Sequence, residues 1–201
     1  MTEKAREKFL YQKIKNLSKL KKWKFKSYFT FKKIENTFFY CNYSINGKTS
    51  VIYVYLEFKP FSIDDTFWEI TDMPENSKMP LSFRGDAAFN VNGYQIFNFL
   101  LKIKDIDNPE KEINLLIDEI NQKSESIVKK GVSVNSFLNI LLKKNENYVG
   151  IITCLMELKK YEQALVKIYE YKKNEVNSGY GFGDKDFFDL IEEKCREKLN
   201  L

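Results

Sequence analysis

Between Trp23 and Ile103 apolar side chains recur mainly at every second residue, and from Asn108 to Leu199 they recur every three or four. The first period is that of a strand with one buried face, and the second is that of a helix with one buried stripe. Strands followed by helices predict an α+β fold. Residues 3–21 add a helix in front, with Phe9, Leu10, Ile14, Leu17 and Leu20 on one stripe and lysines and arginine between them. The expectation is an N-terminal helix, an antiparallel aromatic-rich sheet of four to six strands, and C-terminal helices. One compact unit should span residues 1–201, with helix plus sheet in 1–107 and helices in 108–201.

The strands are read from alternation and turn residues. In 23–33 the rings of Trp23, Phe25, Phe29 and Phe31 occupy odd positions, with Lys24, Lys26, Tyr28 and Lys32 between them. That predicts one strand with an aromatic face and a basic face. Runs 37–45 and 48–59 flank Asn46-Gly47, the residue pair of a type I′ turn. A two-residue loop pairs Ile45 with Lys48, so Phe39 faces Val54 and Cys41 faces Ile52. Leu56 and Phe58 extend this apolar face. The opposite face pairs Phe38 with Tyr55 and Tyr40 with Tyr53, and is either covered or a binding platform. Residues 60–80 read as an irregular acidic stretch punctuated by Pro60, Pro74 and Pro80. Further strands are expected at 81–91 and 94–103, joined at Asn92-Gly93.

The helical half opens at Asn108-Pro109-Glu110, a cap, a proline for the first helical position and an early acid. Ile113, Leu116, Ile117 and Ile120 form its stripe, and Gly131 ends it. Helices follow at 134–144, 148–159, 161–173 and 184–199, the last carrying Phe187, Phe188, Leu190, Ile191 and Cys195 inward, with Asp184 as its cap.

The chain has no histidine. That removes Ser-His-Asp and Cys-His catalysis, histidine-bearing zinc sites and histidine pH switching. Cys41, Cys154 and Cys195 are odd in number and form no C-x-x-C, as expected of reduced thiols. No run of residues approaches a membrane span or a secretion signal, so a cytoplasmic protein is expected. The net charge of +5 is uneven. Residues 1–33 hold 12 Lys and Arg against 2 Glu, and the remainder holds 21 against 26 Asp and Glu, so the basic character belongs to one end.

Four motifs are weighed against simpler readings. Glu57-Phe58-Lys59 has the E-x-K form of a restriction-type nuclease strand, but no aspartate precedes Asp64 to share a metal with Glu57. The acids Asp64, Asp65, Glu69, Asp72 and Glu75 do not match a calcium loop, so the segment is a solvated loop or an acidic recognition surface around Phe67 and Trp68. Trp68 is an anchor in one reading and a core residue in the other. The glycine-rich run 179–183 follows a helix and lacks the lysine and hydroxyl of a phosphate loop, so it joins two helices. Lys21 to Lys26 interleaves bases and rings, but the period of two sends rings and charges to different faces, unlike a stacking platform. No catalytic, cofactor or metal residue is assigned.

Tyr148, Val149-Gly150-Ile151-Ile152, Leu155, Leu158 and the stretch from Tyr161 to Leu165 resemble a single tetratricopeptide-type helical hairpin. That resemblance implies hairpin packing of residues 148–173 and no peptide groove. The basic first helix, the aromatic runs Phe25 to Phe31 and Phe38 to Phe58, and the helical half after Asn108 together resemble small bacterial proteins of unknown function from toxin–immunity loci. The expected function is therefore a non-catalytic protein-binding module of the immunity or antitoxin type that neutralises a toxin domain. The alternative is a nucleic-acid-associated protein using the basic N-terminal region. The expected contact residues are Asp64, Asp65, Phe67, Trp68, Glu69, Asp72 and Glu75, with Tyr40 and Tyr53 from the sheet.

Overall fold

A computed structural model describes residues 1–85 and 89–201. Contacts among these residues divide the chain into two compact units, Met1–Lys59 with Gly93–Gly131 and Pro60–Asn92 with Val132–Leu201. The division does not follow the line at 107, because the helix after Asn108 groups with the sheet and residues 60–92 group with the later helices. The class is α+β, as the two periods require.

The first unit begins with α1 (Glu3–Leu20), capped by the Thr2 side chain. A five-stranded antiparallel meander follows in the order β1 (Lys24–Lys26), β2 (Phe29–Ile34), β3 (Thr37–Asn46), β4 (Val51–Pro60) and β5 (Tyr94–Lys102). Helix α3 (Glu110–Lys129) completes it. Helix α2 (Ile63–Ile70) lies in the second unit. One sheet face packs on α1 and α3: Tyr11 donates to the Tyr43 carbonyl (2.9 Å) and Trp23 donates its indole N–H to Asn121 (2.8 Å). Ile113, Leu116, Ile117 and Ile120 of α3 are buried as expected, whereas in α1 only Leu10 and Ile14 of the expected stripe are buried, Phe9 and Leu17 are half-buried, and Leu20 is 76 % exposed.

Three strand expectations are corrected. Residues 23–33 are not one strand but a tight hairpin, with Lys26 opposite Phe29 across Ser27-Tyr28 and Ser27 at φ 53°. Folding back brings Lys24 opposite Phe31, so these lysines share a face with the rings they were expected to oppose. Phe29, Phe31, Phe38 and Tyr40 then form a ladder with centroids 5.6–6.1 Å apart on that face, and all four are buried. Second, the β3–β4 turn contains four residues rather than two, because β3 ends at Asn46 and β4 starts at Val51. Asn46 Oδ1 accepts the N–H groups of Lys48 and Thr49, and Ser50 takes the left-handed conformation that closes the loop. Gly47 is needed for space: a Cβ there would lie 2.3 Å from the Glu3 carbonyl oxygen. The register moves by four residues, and Phe39 now meets Phe58 (6.2 Å) while Tyr40 donates to Glu57 (2.6 Å). Third, the described part of 81–91 is not a strand. Leu81–Arg84 is a 3-10 turn, Asn92-Gly93 turns no hairpin, and 86–88 lie outside the described residues.

A shift of four residues keeps every side chain on its expected face, because the strand period is two. Phe39, Cys41, Ile52, Val54, Leu56 and Phe58 are all buried as expected. Truncating Val54 to alanine should destabilise the first unit by about 1–3 kcal/mol through lost burial and a residual cavity. Urea unfolding followed by Trp23 fluorescence in a Trp68→Phe background checks this, and an unchanged midpoint would contradict the burial.

In the second unit, α2 (Ile63–Ile70) fits between Pro60 and Pro74, so the acidic stretch is not irregular throughout. Pro74 begins a 3-10 turn, where its missing N–H costs nothing. Helices α4 (Val134–Lys144), α5 (Tyr148–Glu157) and α6 (Tyr161–Lys173) follow, the last two as a helical hairpin. The glycine-rich run forms a small ribbon, β6 (Gly181–Phe182) against β7 (Lys185–Asp186), turning through Gly183 at φ 66°. Its rings Tyr180 and Phe182 pack on Phe67 at 5.4 and 6.4 Å. Helix α7 (Phe187–Leu199) is capped by Asp186 rather than Asp184, and buries Phe187, Phe188, Ile191 and Cys195. All three cysteines are buried and free. Burial pushes the Cys195 thiol up to about 11, which disfavours the reactive thiolate at neutral pH. Among the described residues no helix is long and apolar enough to cross a membrane.

Candidate interaction surface

The acidic segment 61–75 is committed to its own unit. Asp64 is fully buried and accepts the Val91 N–H through Oδ1 (3.0 Å), with Arg84 at 3.6 Å from Oδ2. Arg84 also donates to Asp65 (2.5 Å) and to the Phe61 carbonyl (2.7 Å). Its guanidinium lies 3.8 Å from the Phe61 ring centroid and 4.8 Å from that of Trp68, the stacked geometry that suits arginine. Trp68 donates its indole N–H to the Phe89 carbonyl at 2.5 Å. Phe67 stacks on Phe187 at 5.3 Å. The expected anchors Phe67 and Trp68 are therefore core residues, with no exposed surface for a partner.

The other expected contacts divide the same way. Tyr40 is buried, donates to Glu57 and accepts the Gly93 N–H (3.0 Å). Glu69, Asp72 and Glu75 are exposed, and Asp72 pairs with Lys194 of α7 at 2.9 Å. Asp65 is half-buried and held by Arg84. Tyr53 alone of the expected rings reaches solvent, at 39 % exposure. The structure thus brings Asp64 and Asp65 together around Arg84 in the second unit, whereas Tyr53 belongs to the first. In the E-x-K motif, Lys59 is enclosed, with its ammonium 5.9 Å from the ring centroids of both Phe38 and Tyr40.

The open surface of the first unit lies on β4 and β5. Tyr53 is opposite Leu100 and Tyr55 opposite Asn98, so these side chains share one face. Tyr55 is 39 % and Leu100 54 % exposed. With Phe99 they line a shallow depression of about 270 Å³. On the other face Phe97 and Phe99 stack at 5.8 Å, and Phe99 remains 39 % exposed. Contiguous exposed apolar groups of this kind mark binding surfaces. Tyr55, Asn98, Phe99 and Leu100 are not among the contact residues expected from the sequence. The available signal is the run Ile96, Phe97, Phe99, Leu100, Leu101, which is apolar on both strand faces where a half-buried strand alternates.

The electrostatics also divide by unit. The first unit holds 20 Lys and Arg against 11 Asp and Glu, a net +9, and the second holds 13 against 17, a net −4. Part of the positive charge is paired locally, through Lys13 with Glu110 and Lys21 with Asp118 (2.7 Å). Among the described residues no group of three or more cysteine or carboxylate side chains is placed to hold a metal ion. No family model matches the chain, and comparisons with curated proteins and with solved structures give no match either.

Proposed function

We propose that the chain is a non-catalytic protein-binding module working through the β4–β5 side of its basic unit. The observation that carries this reading is the exposed cluster Tyr53, Tyr55 and Leu100 beside the depression, since tyrosine and apolar groups supply most of the energy of protein interfaces. In its narrower form the module is a cytoplasmic inhibitor of the immunity or antitoxin type that binds and neutralises a toxin domain. That form is supported by the resemblance in layout described above. Immobilised protein should retain a partner from an extract of its native cells, and nuclease treatment should leave the complex intact. Tyr53→Asp combined with Leu100→Asp should abolish retention while circular dichroism stays unchanged, because both positions are exposed in the free protein and each aspartate would be buried without a partner only in the complex. Retention that survives both substitutions would contradict the assigned surface. Metal-dependent cleavage of DNA or RNA that disappears on Glu57→Ala would contradict the non-catalytic part.

The net +9 of the first unit supports nucleic-acid binding as the second reading. Binding through lysines to phosphates weakens steeply with salt as counterions are released. The expected result is weak, non-specific binding that vanishes near physiological salt, and tight binding surviving there would put this reading first.

A further inference from the structure

Strand β5 ends the sheet, and the two edges of that sheet are built differently. The β1 edge is three residues long and carries Lys24 and Lys26, the usual protection against another strand. The β5 edge is nine residues long, and its sequence from Tyr94 to Leu101 holds no charge. Ile103 donates its N–H to the Ser50 carbonyl at 3.0 Å. In an antiparallel ladder such bonds alternate along the strand, so Phe97, Phe99 and Leu101 point their backbone groups at β4. Asn98, Leu100 and Lys102 then point N–H and C=O away from the sheet. A bulge at Ile96, where the register shifts, leaves 97–102 as the regular stretch.

We propose that this edge receives an extended, acidic segment of another protein as a sixth strand. The inference rests on the protein-binding reading and names the kind of partner. The backbone groups of Asn98, Leu100 and Lys102 call for a strand, because only an extended chain presents donors and acceptors at that repeat. The faces beside them, Tyr53 and Leu100 on one side and Phe97 and Phe99 on the other, take apolar side chains at alternating positions. Charge selects the sign. Lys102 ends the edge, and Lys123 lies 5.9 Å from the Phe97 ring centroid. Neither forms an ion pair among the described residues. The unit carries a net +9, so an acidic strand is drawn to it and a second copy of the same unit is repelled.

The probe is a short synthetic peptide of alternating valine and threonine flanked by glutamates, compared with its lysine-flanked counterpart and with a version N-methylated at alternate amides. The readout is amide hydrogen exchange of the full-length protein by NMR. With the glutamate peptide, exchange at Asn98, Leu100 and Lys102 should slow about tenfold, while the β4-paired amides of Phe99 and Leu101 stay unchanged. The effect should be weaker with the lysine peptide, and absent with the N-methylated one. Leu100→Pro removes one outward donor without touching the β4 ladder, a position where edge strands accept proline. It should abolish the protection at Asn98 and Lys102. The N-methylated peptide makes the same test without altering the protein, should that variant fold poorly. Protection that appears with protein concentration alone would overturn the proposal in favour of a second copy. An oligonucleotide that perturbs Tyr53 and Tyr55 at physiological salt, where the peptides do not, would overturn it in favour of nucleic acid. Loss of partner retention in Tyr53→Asp/Leu100→Asp without any alternating protection would overturn strand addition and leave the protein-binding reading standing.

Discussion

Trp68→Ala should destabilise the second unit by about 3–5 kcal/mol, the cost of removing a large buried ring and leaving a cavity. Trp68 has no exposed surface, packs on Phe83 at 5.8 Å and on the Arg84 guanidinium, and donates to the Phe89 carbonyl. Alanine removes the ring contacts and leaves that carbonyl without its donor. Trp68→Phe should cost less, because it keeps most of the ring. Denaturant unfolding followed by circular dichroism checks both. An alanine variant within about 1 kcal/mol of the parent would restore Trp68 as an interface anchor.

Arg84→Met should have a comparable effect, about 3–5 kcal/mol, for an electrostatic reason. Arg84 and Asp64 are both buried, and removing one member of a buried charged cluster leaves the other inadequately compensated. Asp65 and the Phe61 carbonyl lose their donor in the same step. Arg84→Lys should recover only part of the loss, since an ammonium neither forks between two acceptors nor stacks between rings in the same way. Each unit has one of the two tryptophans, so Trp68 fluorescence in a Trp23→Phe background reports the second unit alone. A loss seen only for the first unit would contradict the assignment.

The fold is more legible in the sequence than the site. Periodicity identifies faces, and faces survive a register error of even length: Val54 and Phe58 are buried whether the β3–β4 turn has two residues or four. Turn residues have more than one use. Asn46 serves as a side-chain acceptor and Gly47 makes room for α1, two roles that leave the same letters in the chain as a type I′ turn. Ser27, where the chain does fold back in two residues, has no glycine or asparagine to mark it. The acidic segment is illegible in the sequence because its partner is distant along the chain. Arg84 meets Asp65 across 19 residues, and nothing in 61–75 announces an arginine stacked between Phe61 and Trp68. Leu100 lies on the last strand of the sheet with Tyr53 beside it on β4, a pairing set by strand order and not by local composition.

Site-specific photo-crosslinking in the native cell tests most directly whether the interaction surface is the β4–β5 side. A photoreactive phenylalanine analogue at position 53 or 100 should yield a covalent protein adduct that resists nuclease. The same analogue at 69 or 75 of the acidic segment, or at the exposed Val166 of α6, should yield none. Adducts from 69, 75 or 166 with none from 53 and 100 would contradict the account and move the interface to the second unit.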